Sequence, residues 1–137
     1  MKQMFVLALV FGSLSAQAGE LETFKDVVDA VSQGKQISFV IHFNECISEM
    51  PLSTATASIT PNAVLVIDNN RITASDRHFT MDDPVRRGAP VYDYSKFTIN
   101  AEGDALIKTT AMSAIDYEPL ASHQINCELG KGFKVFG

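Results

Sequence analysis

A period-two alternation that opens after Gln36 constrains the fold more than any other feature of this 137-residue chain. Ile37, Phe39, Ile41 and Phe43 alternate with Ser38, Val40, His42 and Asn44. Successive side chains of an extended strand point to opposite faces, so the pattern reads as a strand with one face committed to a core. The rest of the chain keeps to that theme, rich in Phe, Ile, Val and Thr and without Trp, a mixture that favours strands. Residues 63–68 and 71–75 flank Asn69-Asn70, and Asn tolerates the positive φ of a two-residue hairpin turn. Residues 91–100 and 105–114 form a second such pair around residues 101–104. Residues 125–129 and 133–136 flank Gly130-Lys131-Gly132 as a closing hairpin. A short strand is expected at residues 55–59, inside a stretch rich in Ser, Thr, Ala and Pro.

Residues 20–34 carry the other period. Phe24, Val27, Val28 and Val31 follow the i, i+3, i+4, i+7 rule of a helix face. Thr23 is placed to cap it, with Asp26 three residues on as in a capping box, and Gly34 suits the left-handed position that ends a helix. So short a helix must lay its apolar stripe on something, and the sheet is what the chain offers. The expected fold is therefore α+β: one N-terminal amphipathic helix packed on a mostly antiparallel, strongly curved or barrel-like sheet of six to eight strands. No linker or repeat divides the chain.

Residues 1–18 read as a secretory signal peptide, with Lys2 as the positive start, residues 4–14 as the apolar run and Ala16-Gln17-Ala18 as the cleavage site. Cleavage after Ala18 leaves residues 19–137 as a single domain. The expected address is the periplasm or the outside of the cell, with no membrane span after cleavage. Without Lys2 the chain has 10 Lys and Arg against 16 Asp and Glu, a balance that argues against nucleic acid as a default partner. Export also bears on the two cysteines, Cys46 and Cys127, because exported chains meet an oxidising environment. One disulfide between them is the leading reading, worth about 4.5 kcal/mol by loop entropy. A redox or metal-binding thiol is the rival, without the close Cys spacing such sites favour.

Candidate chemistry is sparse. His42, Glu45 and Cys46 offer a nitrogen, a carboxylate and a sulfur, but a metal site needs several such groups to converge. Ser75, Asp76 and His78 hold the groups of a nucleophile–base–orienter set. On a strand Asp76 and His78 share a face and Ser75 points away, so a hydrolase is disfavoured and a polar pair, Asp76 and His78, remains as a candidate ligand site. Asp82, Asp83, Arg86 and Arg87 form a charged loop followed by Tyr92 and Tyr94 on one strand face, a candidate partner-binding surface. Asp82-Asp83 lacks the remaining ligands of a calcium loop, and the Gly-x-Gly at residues 130–132 lies in a turn, not ahead of a helix. His123 has no partner nearby in sequence.

Four stretches together resemble the VirK family of small exported proteins of Gram-negative bacteria. They are Thr23-Phe-Lys-Asp-Val-Val-Asp-Ala-Val-x-x-Gly-Lys, residues 39–46, Ile72-x-x-Ser-Asp-x-His-Phe-Thr80, and Asn126-Cys-Glu-Leu-Gly-Lys-Gly-Phe-Lys-Val-Phe136. The resemblance implies export, the pairing of Cys46 with Cys127 and a link to host interaction. It also implies that Asp76 and His78 recur as a polar group, and it carries no catalytic residue or cofactor. The family pattern has an aromatic where this chain has Ala74. The leading expectation is an exported, non-enzymatic, virulence-associated protein that binds a protein or a small ligand, with no cofactor. The alternatives are an enzyme or metal-dependent protein using Asp76 and His78 with His42 or His123, and a structural or stress-related envelope protein.

Overall fold

Thr23 starts the helix as its spacing predicts. In the computed structural model its hydroxyl accepts from the Asp26 amide at 3.1 Å, while the Asp26 carboxylate accepts from the Thr23 amide at 3.1 Å, a complete capping box. The structure describes residues 12, 18–83 and 86–137, so the signal-peptide expectation for residues 1–18 falls almost wholly outside the described residues. Helix α1 spans Phe24–Ser32 and buries Val27 and Ala30. The chain then turns at Gly34, whose φ of +75° is the left-handed value expected for it. Residues 19–21, which lie ahead of the helix, are tied to the last strand: the Gly19 and Gly137 backbones exchange two hydrogen bonds, and the Leu21 amide donates to the Val135 carbonyl.

Eight strands follow: β1 Ser38–His42, β2 Thr56–Ile59, β3 Ala63–Ile67, β4 Arg71–Thr80, β5 Val91–Asn100, β6 Asp104–Ser113, β7 Pro119–Leu129 and β8 Gly132–Phe136. They form one sheet in the order β2-β1-β8-β7-β6-β5-β4-β3, strongly curled into a half-barrel. The fold is α+β with a mostly antiparallel sheet, as the alternation predicts. Its concave side holds Phe39, Phe97 and Phe133, whose ring centroids lie 4.8–6.0 Å apart, each burial worth about 1.5–3 kcal/mol. Ala74 is buried directly opposite Phe97, so the ring at this level comes from β5 and a small residue faces it.

Two expectations need correction. The closing hairpin does not form: β7 and β8 pair at only two positions, in parallel, and β8 instead runs antiparallel to β1. Gly130 and Gly132, with φ of +86° and +79°, turn a corner that carries the chain onward instead of back. Strand β7 also begins at Pro119, well before Ile125, because its first half is polar and shows no clear alternation.

The pairings also set β2 and β3 in the same direction. Only residues 60–62 separate them, so together they make one bent strand. It leaves the β1 edge of the sheet and joins the β4 edge, closing one side of the half-barrel. Asn62 is the seam: its amide donates to the Ser75 carbonyl at 2.9 Å and its Oδ1 accepts from the Arg77 amide at 2.8 Å. Cys46 and Cys127 form a disulfide across 81 residues, tying the single turn of 3-10 helix that follows β1, Phe43–Glu45, to β7.

Candidate functional site

Strand register makes the concave face change chemistry partway along the barrel. Two rows are apolar across four strands: Ile72, Ile99, Ala105 and Cys127, then Ala74, Phe97, Ile107 and Ile125. The next two rows lie further along the same face. One runs Asp76, Ser95, Thr109, His123, and the other runs His78, Asp93, Ala111, Ala121. The apolar rows are the core. The polar rows form a patch at the open end.

Asp76 and His78 come together as the strand period predicts. The Asp76 Oδ2 lies 3.0 Å from His78 Nδ1, and the other ring nitrogen, Nε2, lies 3.5 Å from Asp93 Oδ2. His78 thus stands between two carboxylates. A third joins them, because the loop after β4 folds inward. The Arg86 amide donates to the Asp83 carbonyl and the Gly88 amide to the Met81 carbonyl, and this winding brings the Asp83 carboxyl within hydrogen-bonding reach of Asp93. Ser95 and Thr109 share a hydroxyl–hydroxyl bond of 3.1 Å beside the cluster.

Three buried carboxyl groups in one patch are costly. Asp76, Asp83 and Asp93 are only 9%, 8% and 8% exposed. Burial first, and the Asp83 carboxylate second, push the Asp93 carboxyl up to about 6, while the nearby His78 and His123 pull the other way. Asp93 Oδ1 is buried without a hydrogen-bond partner. Such an atom costs about 1–3 kcal/mol.

The patch opens into a cleft of about 360 Å³ lined by Ala57, Ser58, Ile59, Thr60, Asp76 and His78. His123 borders a second hollow of about 310 Å³, beside Ser48–Met50 of the loop that follows Cys46.

The other candidate residues scatter. His42 Nδ1 lies 3.1 Å from the Thr56 hydroxyl, the Glu45 carboxylate accepts from the Gly132 amide at 3.0 Å, and Cys46 is in the disulfide; each group of that set is engaged separately. Ser75 is exposed on the other face of β4. Within the charged loop Asp83 parts from its neighbours. Asp82, Arg86 and Arg87 are exposed while Asp83 is buried in the concave patch. Tyr92 and Tyr94 lie on the convex face, where Tyr92 packs between Phe79 and Tyr117 at 5.9 and 6.1 Å and under the Arg77 guanidinium at 5.4 Å.

Asp93 is the member that the sequence reading missed; His123 entered it only as a candidate partner of Asp76 and His78, and Asp83 only as part of the charged loop. A signal for Asp93 was present: Val91, Asp93, Ser95, Phe97 and Ile99 are one alternating set, so two polar residues occupy the face that buries Phe97.

A family model described as "VirK protein" matches residues 20–117. A solved structure, that of lpg1832, a VirK family protein from Legionella pneumophila, is 61% identical, with a TM-score of 0.83 over 86% of this chain and 98% of that one. No curated protein matches. With a family match over most of its length and a like-folded relative at that identity, the chain belongs to the VirK family.

Proposed function

We propose that this VirK-family protein is exported, stays in the periplasm or leaves the cell, and works by binding without catalysis. The binding centre is the polar end of the concave face: Asp76, His78, Asp83, Asp93 and His123. The ligand presents a hydrogen-bond donor or a positive group there. The observation that carries this reading is the buried, unpartnered Oδ1 of Asp93 beside a second buried carboxyl. With Asp93 charged, such an atom destabilises the fold, whereas a ligand that donates to it recovers the cost. Export is supported by the signal-peptide pattern and by a disulfide of a kind that reducing cytosol rarely keeps. An association with virulence is part of this reading, supported by membership of the VirK family.

The test is a titration of the intact protein with n-butylammonium, read by NMR at the His78 and His123 rings. Saturable shifts in the native protein, abolished in Asp93→Asn, are expected. Rings that do not respond, or respond equally in the variant, contradict the reading. A second reading is favoured by the placement of His78 between two carboxylates, an arrangement suited to proton transfer. Turnover of a bound ligand by the native protein and not by His78→Asn would favour that reading over simple binding.

A further inference from the structure

The cleft beside Asp76 lies between two sheet edges. Strand β3 pairs with β4 only as far as Ser75, yet β4 continues to Thr80, so Asp76–Thr80 have β5 as their only strand partner, with the Arg77 amide also held by Asn62. Strand β2 bonds to β1 alone. These two free stretches diverge from the seam at Asn62, and the cleft lined by Ala57–Thr60, Asp76 and His78 is the wedge between them.

Backbone groups alternate along a strand. The Ser75 carbonyl and the Arg77 amide point to the β3 side of β4, where Asn62 takes both. The same alternation sends the Arg77 carbonyl and both backbone groups of Phe79 to that edge, beyond the reach of β3. On β2, the Phe43 amide donates to the Ala55 carbonyl, so residues 55, 57 and 59 face β1 and the backbone of Ser58 faces the wedge. Both walls therefore offer donors and acceptors at strand spacing. The wedge lining contains no Lys or Arg, and the inward side chains of β4 are Asp76 and His78, with Asp93 behind them.

We infer that the wedge between β2 and the second half of β4 receives one extended segment of a partner polypeptide, which adds as a strand and sets a lysine or arginine against Asp76. This deepens the proposed binding role and rests on it. Main-chain hydrogen bonds to Phe79 and Ser58 hold the segment, and the acidic patch selects its inward side chain. Added strands alternate their side chains, so the partner's charge falls at every second residue. The occupant is a basic peptide because the exposed edge calls for a backbone and the buried carboxylates beside it call for a cation.

The experiment uses the intact, disulfide-bonded protein and a blocked five-residue peptide of alternating threonine and lysine. Two companions complete it, one with alternate backbone nitrogens methylated and one with norleucine replacing lysine. Expected are saturable binding of the lysine peptide and at least tenfold slower hydrogen exchange of the Phe79 and Ser58 amides. At least tenfold weaker binding of both companions is also expected. In Asp76→Asn the preference for lysine over norleucine should shrink while the amide protection persists. Unchanged exchange at Phe79 with peptide bound, or equal binding of the methylated peptide, overturns strand addition. Equal lysine preference in Asp76→Asn overturns the charge selection. If no peptide binds while n-butylammonium still shifts the His78 ring, the strand inference fails and the concave site stands. If neither probe acts, both fail.

Discussion

Asp93 concentrates the energetic conflict of the molecule in one side chain. Its folded-state pKa, about 6, lies above its ordinary value of 3.8, so the folded protein holds this proton more tightly than the unfolded chain does. The stability that Asp93 contributes is then fully present below about pH 4 and is lost as pH rises through 6. Asp93→Asn removes the charge and supplies a donor toward Asp83. It should raise stability at pH 7 by about 1–3 kcal/mol and change little near pH 4. Urea denaturation of both proteins at the two pH values checks this, and a variant less stable at pH 7 would contradict it. Asp76 and His78 were legible because residues two apart on a strand share a face. The alternation of β5 shows only that Asp93 sits on a buried face; its meeting with His78, and that of His123 with the same patch, depends on pairing register, which no local pattern reveals.

At the level of elements, the corner between β7 and β8 tolerates little change in its backbone at Gly132. Gly132 has a φ of +79°, and a Cβ added there would lie 2.9 Å from Cys46 Sγ and 3.1 Å from the Glu45 carbonyl oxygen. Its amide also binds the Glu45 carboxylate. Gly132→Ala should cost about 2–4 kcal/mol, since strain and overlap act together. Gly130→Ala, with open space around it, should cost about 1–2 kcal/mol through backbone strain alone. Thermal melts of the two variants test that order. The helix was legible to within a few residues because capping and periodicity agree there. The closing turn was misread because the glycines that mark a hairpin also mark a corner, and only the competing β1–β8 pairing decides between them. Strand β7 lacked a signal because its first half faces the polar patch on one side and solvent on the other.

Across the whole molecule, one disulfide and one bent strand close a curled sheet that would otherwise have two open edges. The 46–127 link spans most of the sheet's sequence, so Cys46→Ser and Cys127→Ser should each lose about 3–5 kcal/mol under oxidising conditions, and the double variant no more than either. Equilibrium unfolding with and without reductant measures this, and clearly unequal single losses would contradict it. A count of six to eight strands was legible from alternation and turn spacing, and curvature from the need of a single sheet to surround a core. The β2–β3 bend was not, since residues 48–60 are small and polar and show no face. That bend leaves the wedge open and places the acidic patch at its mouth.

The measurement that bears most directly on the proposed binding site is a carbon-detected NMR titration of the Asp93 carboxyl, alone and with n-butylammonium. Cation binding favours the charged form, so the pKa should lie near 6 in the free protein and fall when the probe is bound. An Asp93 that titrates at its ordinary value and ignores the probe would contradict the account.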